Sequence, residues 1–480
     1  MKTYQHWIDG QDAGEPDACE PDAGVFDVLN PEDDSVIATA VRGTVDDVAR
    51  AIAAADAAWA TYRKTSPSQR EGWLLAAADL LESDGQRLVE LLVSEVGSPI
   101  SKARREIATS AGVLRSAAGT CRRQTGQTIP TDVPGRVSYS VRCPLGVVAG
   151  ITPFNVPLIK GIKHSAMPLA TGNTVVLLPS PQAPGVAIEI ARLYHQAGFP
   201  LGAFNVVLGY GDQIGDALTG ASAVRAVGFT GSNDVGRHIA GRCGASRKRF
   251  TLEMGGKNPL IVMDDADLDQ AVKAAIAGAF LFQGQICMSS SRILVARSII
   301  DSFTQRLAAA AQGLSLGDLR EPSTMIGPII HERQRSKIRR HVDDAIRRGA
   351  TLVTGGKWVQ NRFQPTVLSN VPADAVIHRE ETFGPVAVIE PFDAVDQAID
   401  LANSTNFGLT ASVFTSSLKT ALRCVDEIDA GMVHVNEMTI QEEAHVPFGG
   451  NRDSGFGREG SEVGIDTYTE WKWVTIHGLG

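Results

Sequence analysis

The chain has 480 residues, 43% hydrophobic and 21% charged, with a net charge of −9. This is the balance of a globular protein of roughly two to four domains. The acidic charge, with no basic cluster, argues against a nucleic-acid partner. No apolar run is long enough to span a membrane. The segment Met1–Gly10 lacks the apolar core of a signal peptide, so a cytoplasmic protein is expected. Cys19, Cys121, Cys143, Cys243, Cys287 and Cys424 form no C-x-x-C pair, which fits free thiols in a reducing compartment and neither a zinc site nor a disulfide framework.

Residues 44–120 read as helical. Thr44 and Asp47 precede an apolar stripe of Val48, Ile52, Ala55 and Trp59 at helical spacing. Ser66 and Gln69 form a capping-box pattern with Pro67 at the first helical position, opening a helix through Trp73, Leu74, Ala77, Leu80 and Leu81. From Val147 short β-rich runs (147–151, 174–178, 205–208, 226–230) alternate with helix-like stretches (185–197, 234–241). That alternation predicts a parallel sheet with helices on both faces. Thr152–Asn155, Pro179–Ser180 and Gly231–Ser232 fall just past strands, where such sheets bind ligands. A second α/β region begins near Glu253, with strands expected at 259–263, 292–296, 386–390 and 432–436 and helices at 299–310 and 334–348. Residues 137–141 and 471–476 alternate like exposed strands, and open strand edges invite a second subunit.

Two glycine-flanked segments stand out for chemistry. Thr251–Lys257 carries Glu253 ahead of Gly255 and Gly256, and Phe282–Cys287 carries a cysteine after Gly284. Each residue alone reads more simply as structural, since a free cysteine is usually a small core residue. Together they suit a nucleophile and a base. Asn155 alone would be a turn residue between Pro153 and Pro157.

In this order these segments resemble the aldehyde dehydrogenase superfamily, from Ile8–Gly10 to Thr469–Trp471. Three further matches are Phe229–Arg237, Glu380–Val386 and Pro447–Glu459. The resemblance implies an α/β fold with a Rossmann-like cofactor domain (1–121 and 142–252), a second α/β catalytic domain (253–450) and a small β oligomerisation element (122–141 and 462–480). It implies an NAD(P)-dependent, non-CoA-acylating oxidation of an aldehyde to the acid. Cys287 would be the nucleophile, Asn155 and the Cys287 N–H the oxyanion donors, and Glu253 the base for hydrolytic water. Thr152, Pro153, Phe154, Leu178, Pro179, Ser180, Gly231, Ser232, Val235, Leu252, Glu381 and Phe383 would hold NAD or NADP. Val156, Lys160, Ile286 and Phe448 would form the substrate pocket. No metal is implied, and the partners expected are a small aldehyde and further copies of the chain, as a homodimer or homotetramer.

The sequence departs from the family at four places, one of them Val156, which stands where phenylalanine is common and would widen the pocket wall. Lysine and glutamate usually stand where Leu178 and Pro181 lie, near the adenosine ribose. Their loss removes both a ribose contact and a carboxylate that would repel a 2′-phosphate. With no cationic anchor left the reading leans to NAD, with use of both cofactors open. Arg452 replaces a usual lysine. The loop Val435–Phe448 and the ending Tyr468–Thr475 resemble the benzaldehyde, vanillin and salicylaldehyde dehydrogenase branch, so an aromatic aldehyde is favoured. An aliphatic semialdehyde bound by a cationic pocket, and a cofactor-free thioester hydrolase, remain alternatives. Lys160 and Lys163 are expected at the pocket entrance, where helical lysines are more often solvated. His164 and His445 are expected to be structural or peripheral.

Overall fold

A computed structural model describes residues 1–14, 24–460 and 462–478, so Cys19 lies outside the described residues. Two capping boxes form. Thr44 and Asp47 cap the helix Val45–Tyr62, and Ser66 and Gln69 cap Pro67–Asp84 with Pro67 in its first turn. Each satisfies two orphan N–H groups and fixes where the helix starts.

The β-rich runs after residue 146 assemble into one sheet. Its order is Gly455–Phe456, Arg249–Glu253, Val224–Thr230, Val147–Ile151, Thr174–Leu178, Phe204–Val206, His6–Ile8 and Gln11–Ala13. The five strands from 249–253 to 204–206 run parallel. Their near-continuous burial is what a parallel sheet covered on both faces requires. The antiparallel strands at its edges come from the chain's two ends, which the periodicity of residues 1–43 does not reveal.

A second, seven-stranded sheet has the order Thr351–Thr354, Thr366–Ser369, Val386–Phe392, Arg292–Ala296, Pro259–Val262, Thr410–Phe414 and Met432–Val435. It is parallel except for its first pair. Separate apolar clusters fill the two halves, one around Val176, Val227 and Leu252 and another around Leu260, Ile293 and Phe303.

The alternating segments near residue 140 and at the C-terminus pair with each other. Thr469–His477 lies antiparallel to Arg136–Pro144, which also pairs with Gln127–Thr128. The outer edge of 469–477 is open, and Trp473 is 65% exposed. Among the described residues no helix is long and apolar enough to cross a membrane.

The helix Pro157–Ala170 does most to shape the site. Every one of its residues is buried, because it lies between the first sheet and the helix Ile100–Thr120. A helix enclosed all round has no polar face turned to water, so its lysines need partners inside the protein.

Candidate active site

One cleft runs along the carboxyl ends of the first sheet's strands. Thr152, Pro153, Phe154, Asn155, Val156 and Lys160 enter it from the turn after Val147–Ile151 and the helix that follows. Leu178, Pro179, Ser180, Pro181 and Gln182 enter after Thr174–Leu178. Gly231, Ser232 and Val235 enter after Val224–Thr230. Glu253 and Cys287 enter from the two glycine-flanked segments, and Glu381 and Phe383 enter from the turn before Val386–Phe392.

Close backbone packing brings the two glycine-flanked segments together. A Cβ on Gly256 would lie 2.5 Å from the Cys287 carbonyl oxygen, and one on Gly255 would lie 2.7 Å from a Glu381 oxygen. Only glycine allows both approaches. The Asn258 amide donates to the same Cys287 carbonyl at 2.7 Å. Cys287 follows a tight turn in which Phe282 and Gln283 take left-handed φ values of 48° and 44°. Such angles in bulky residues persist only where packing enforces them. Here the fully buried Gln283 is held by its amide, which donates to Pro328 O at 2.8 Å and accepts from Gly327 N at 3.0 Å.

Asn155 is buried, and its amide donates to Gln285 O at 3.0 Å. Its second amide hydrogen is left over for a ligand oxygen. Glu253 is 2% exposed, and neither of its oxygens has a hydrogen-bond partner. Burial therefore pushes its carboxyl well above the usual range, opposed chiefly by the charge of Lys160. Burial likewise pushes the Cys287 thiol up to about 12, again against Lys160. At neutral pH the Cys287 thiol therefore rests protonated.

Lys160 and Lys163 are not solvated. Lys160 Nζ is buried 2.7 Å from Glu459 Oε2, and Lys163 pairs with Glu442. Both ammonium groups lie over the Phe448 ring, at 4.7 and 4.5 Å. Burial works against ionisation of Glu459, but Lys160 and its neighbours hold it at about 2. His164 is buried beside Thr230, to whose hydroxyl its Nε2 is 2.9 Å away, and burial holds it neutral with a pKa of about 4. His445 is exposed, away from the cleft lining.

Three expected residues lie outside the lining. Alternation along Arg249–Glu253 sends Leu252 into the core beneath the sheet. Ile286 and Phe448 pack behind Cys287 with Phe282, Met288, Leu409 and Ile440. Conversely, Gln182, Gly211, Met254, Gln334 and Lys337 line the cleft without having been singled out in the sequence. Gln334 donates to the carbonyls of Thr382 and Phe383, both at 2.8 Å, and so fixes Phe383, whose φ is 56°. Gln334 sits in the polar run Glu332–Lys337, which carries no local signal of that contact. Arg452 also has a structural reason. Its guanidinium reaches Thr405 O and Phe407 O at 2.6 Å and Asp429 O at 3.0 Å, a fan of acceptors suited to arginine's fixed donors.

The cleft fits a dinucleotide. Ser232 stands at the N-cap of Asn233–Ala245 without a side-chain cap bond, so backbone donors at that terminus stay open toward the cleft. One Glu381 oxygen accepts from Gly256 N at 3.0 Å, leaving acceptor capacity for a hydroxyl. Phe154 and Phe383, both in the cleft lining, meet edge-to-face at 5.9 Å. A thiol, a carboxyl and an amide donor at one end, with a groove leading to an open helix terminus, bring into one cleft the groups that covalent catalysis beside a dinucleotide would use.

Comparison with known proteins supports that class. Residues 19–474 match the aldehyde dehydrogenase family, and the chain belongs to that family of NAD(P)-dependent oxidoreductases. It is 37% identical to a vanillin dehydrogenase of Pseudomonas fluorescens over 95% of both chains. It is equally 37% identical to a glutarate-semialdehyde dehydrogenase of Pseudomonas putida over 94% of both. The crystal structure of a salicylaldehyde dehydrogenase from Pseudomonas putida G7 complexed with salicylaldehyde superposes with a TM-score of 0.95 at 36% identity, covering 100% of this chain and 99% of that one.

Proposed function

We propose that the protein oxidises an aromatic aldehyde to its carboxylic acid with NAD, through a covalent intermediate on Cys287. The observation that carries this reading is the convergence of Cys287, Asn155 and Glu253 on one cleft. Cys287 gives up its thiol proton to water, the thiolate Sγ adds to the aldehyde carbon, and the carbonyl oxygen becomes an alkoxide held by the Asn155 amide and the Cys287 N–H. Bound NAD(P) supplies the hydride acceptor. With the hydride gone and the alkoxide electrons returned to the C–O bond, Cys287 carries a thioester. Glu253 takes a proton from water, whose oxygen adds to the thioester carbon. The C–S bond then breaks, releasing the acid and restoring the thiol. A water-activating carboxylate favours a free acid over transfer to coenzyme A.

Two features support an uncharged aromatic substrate. The relatives include a vanillin dehydrogenase and a salicylaldehyde dehydrogenase. The Lys160 cation, the candidate anchor for an anionic aldehyde, is already neutralised by Glu459. The semialdehyde alternative draws on the glutarate-semialdehyde relative and on the presence of Lys160 in the lining. Family membership leaves the cofactor-free hydrolase without an observation of its own. For the cofactor, Leu178, Pro179, Ser180, Pro181, Gln182 and Gly211 offer no cation to a 2′-phosphate, which supports NAD. The open edge of Thr469–His477 supports assembly into a dimer or tetramer; a monomeric mass in solution would overturn that.

The test is formation of reduced nicotinamide from benzaldehyde, vanillin and succinate semialdehyde, each with NAD and NADP. Faster turnover of the two aromatic aldehydes with NAD is expected. Turnover of the semialdehyde alone would replace the aromatic reading with the second one.

A further inference from the structure

A buried ion pair outside the machinery just described touches both loops of the oxyanion pocket. Helix Ile100–Thr120 carries Lys102 and Glu106 one turn apart, 8% and 1% exposed. Lys102 Nζ donates to Asn155 O at 2.6 Å, to Ser98 Oγ at 3.1 Å and to Glu106 Oε2 at 2.5 Å. The other oxygen of Glu106 accepts from Leu158 N at 3.0 Å and Ile159 N at 3.3 Å. The pair thus grips the carbonyl of Asn155 and the first turn of the helix that follows it. The Lys102 ammonium also lies 4.2 Å from the centre of the Phe282 ring, and Phe282 opens the left-handed turn that delivers Cys287.

Removing two charges from water is costly, and a well-packed apolar pair often serves stability as well or better. Retention of a buried pair at this point therefore calls for a role beyond stability. We infer that Lys102 is a positioning residue: by fixing the Asn155 backbone and bearing on the Phe282 turn, it holds the Asn155 amide where the oxyanion forms. The inference rests on the oxyanion role proposed for Asn155. All three of its strong donor contacts are to fixed partners, so Lys102 touches no substrate and acts only through Asn155 and the Cys287 turn.

A double-mutant cycle on the intact enzyme separates the two claims. Asn155→Ala tests the oxyanion reading, for which removal of one donor costs about 10²–10³ in kcat. Lys102→Met is expected to lower kcat about tenfold or more, with the aldehyde KM and the NAD dissociation constant within about twofold. In the Asn155→Ala background the same change should lower kcat less than about twofold, because the group it positions is gone. Lys102→Met with Glu106→Gln repeats the cycle without a buried unpaired carboxylate, and melting temperatures check both proteins. Equal losses in the two backgrounds, or no loss in the first, would overturn the positioning role while leaving Asn155 in place. Failure of both Lys102 variants to fold would assign the pair to folding and overturn it as well. Full activity of Asn155→Ala would remove the oxyanion reading and this inference together.

Discussion

The two ends of the cleft are built on opposite electrostatic plans. The Cys287 end gathers Glu253, Lys160, Glu459, Lys163 and Glu442 around one apolar ring, with little access to water. The end proposed for the adenosine, from Leu178 to Gln182 and Gly211, has no charged side chain among those residues. Charges act strongly where water is excluded and weakly where it is not. Changes at the first end should therefore alter rates by orders of magnitude, and changes at the second should alter cofactor affinity by small factors. The same difference separates what is hard to replace from what has already been replaced. The Cys287 end has a thiol, a carboxyl and an amide, whereas the proposed adenosine end has Leu178 and Pro181 where the family resemblance leads one to expect lysine and glutamate.

The largest expected effect is at the nucleophile. Cys287→Ala should abolish aldehyde oxidation, and a retained rate in a steady-state nicotinamide assay would end the covalent mechanism. Next, Glu253→Gln should slow turnover by about 10²–10⁴, the range of a lost general base. A first burst of reduced nicotinamide should survive, because thioester formation precedes hydrolysis. Loss of the burst would place Glu253 in the earlier step.

In the proposed mechanism Glu253 and Cys287 both act deprotonated, and burial raises both. Turnover should accordingly climb as pH rises above neutrality. Lys160 is the leading charge that favours the ionised form of each group. Lys160→Met should therefore move the rising limb of kcat against pH to higher pH. A limb that stays put would separate Lys160 from the chemistry.

The smallest effect belongs to the adenosine end. Leu178→Lys restores a donor worth about 0.5–1.5 kcal/mol for a typical net hydrogen bond. The NAD dissociation constant, read by fluorescence titration, should tighten several-fold, with kcat unchanged within error. An unchanged constant would place the adenosine elsewhere.

How legible the protein was in its sequence differs by element. The parallel strands 147–151, 174–178 and 292–296 can be read with their observed bounds, because unbroken apolar β-branched runs have few other places to go. Both capping boxes are equally local. The N-terminal strands His6–Ile8 and Gln11–Ala13 escape notice, since two or three residues at a sheet edge carry no periodicity. In the site, Cys287, Asn155 and the turns after the strands are legible. Leu252 is misjudged, because adjacency to Glu253 in sequence puts it on the opposite face of the strand.

What the sequence determined by itself is the set of reactive groups and the fold class, because glycine turns, caps and strand runs are properties of a few neighbouring residues. The tertiary structure alone decided the charge state and the aim of those groups. Lys160 meets Glu459 across 299 positions, Lys102 meets Asn155 across 53, and Gln334 meets Phe383 across 49. The helix Pro157–Ala170 is enclosed on all sides, so its lysines become paired interior cations where its own residues suggest a solvated entrance. Burial and pairing depend on what packs around a segment, and no local pattern records that.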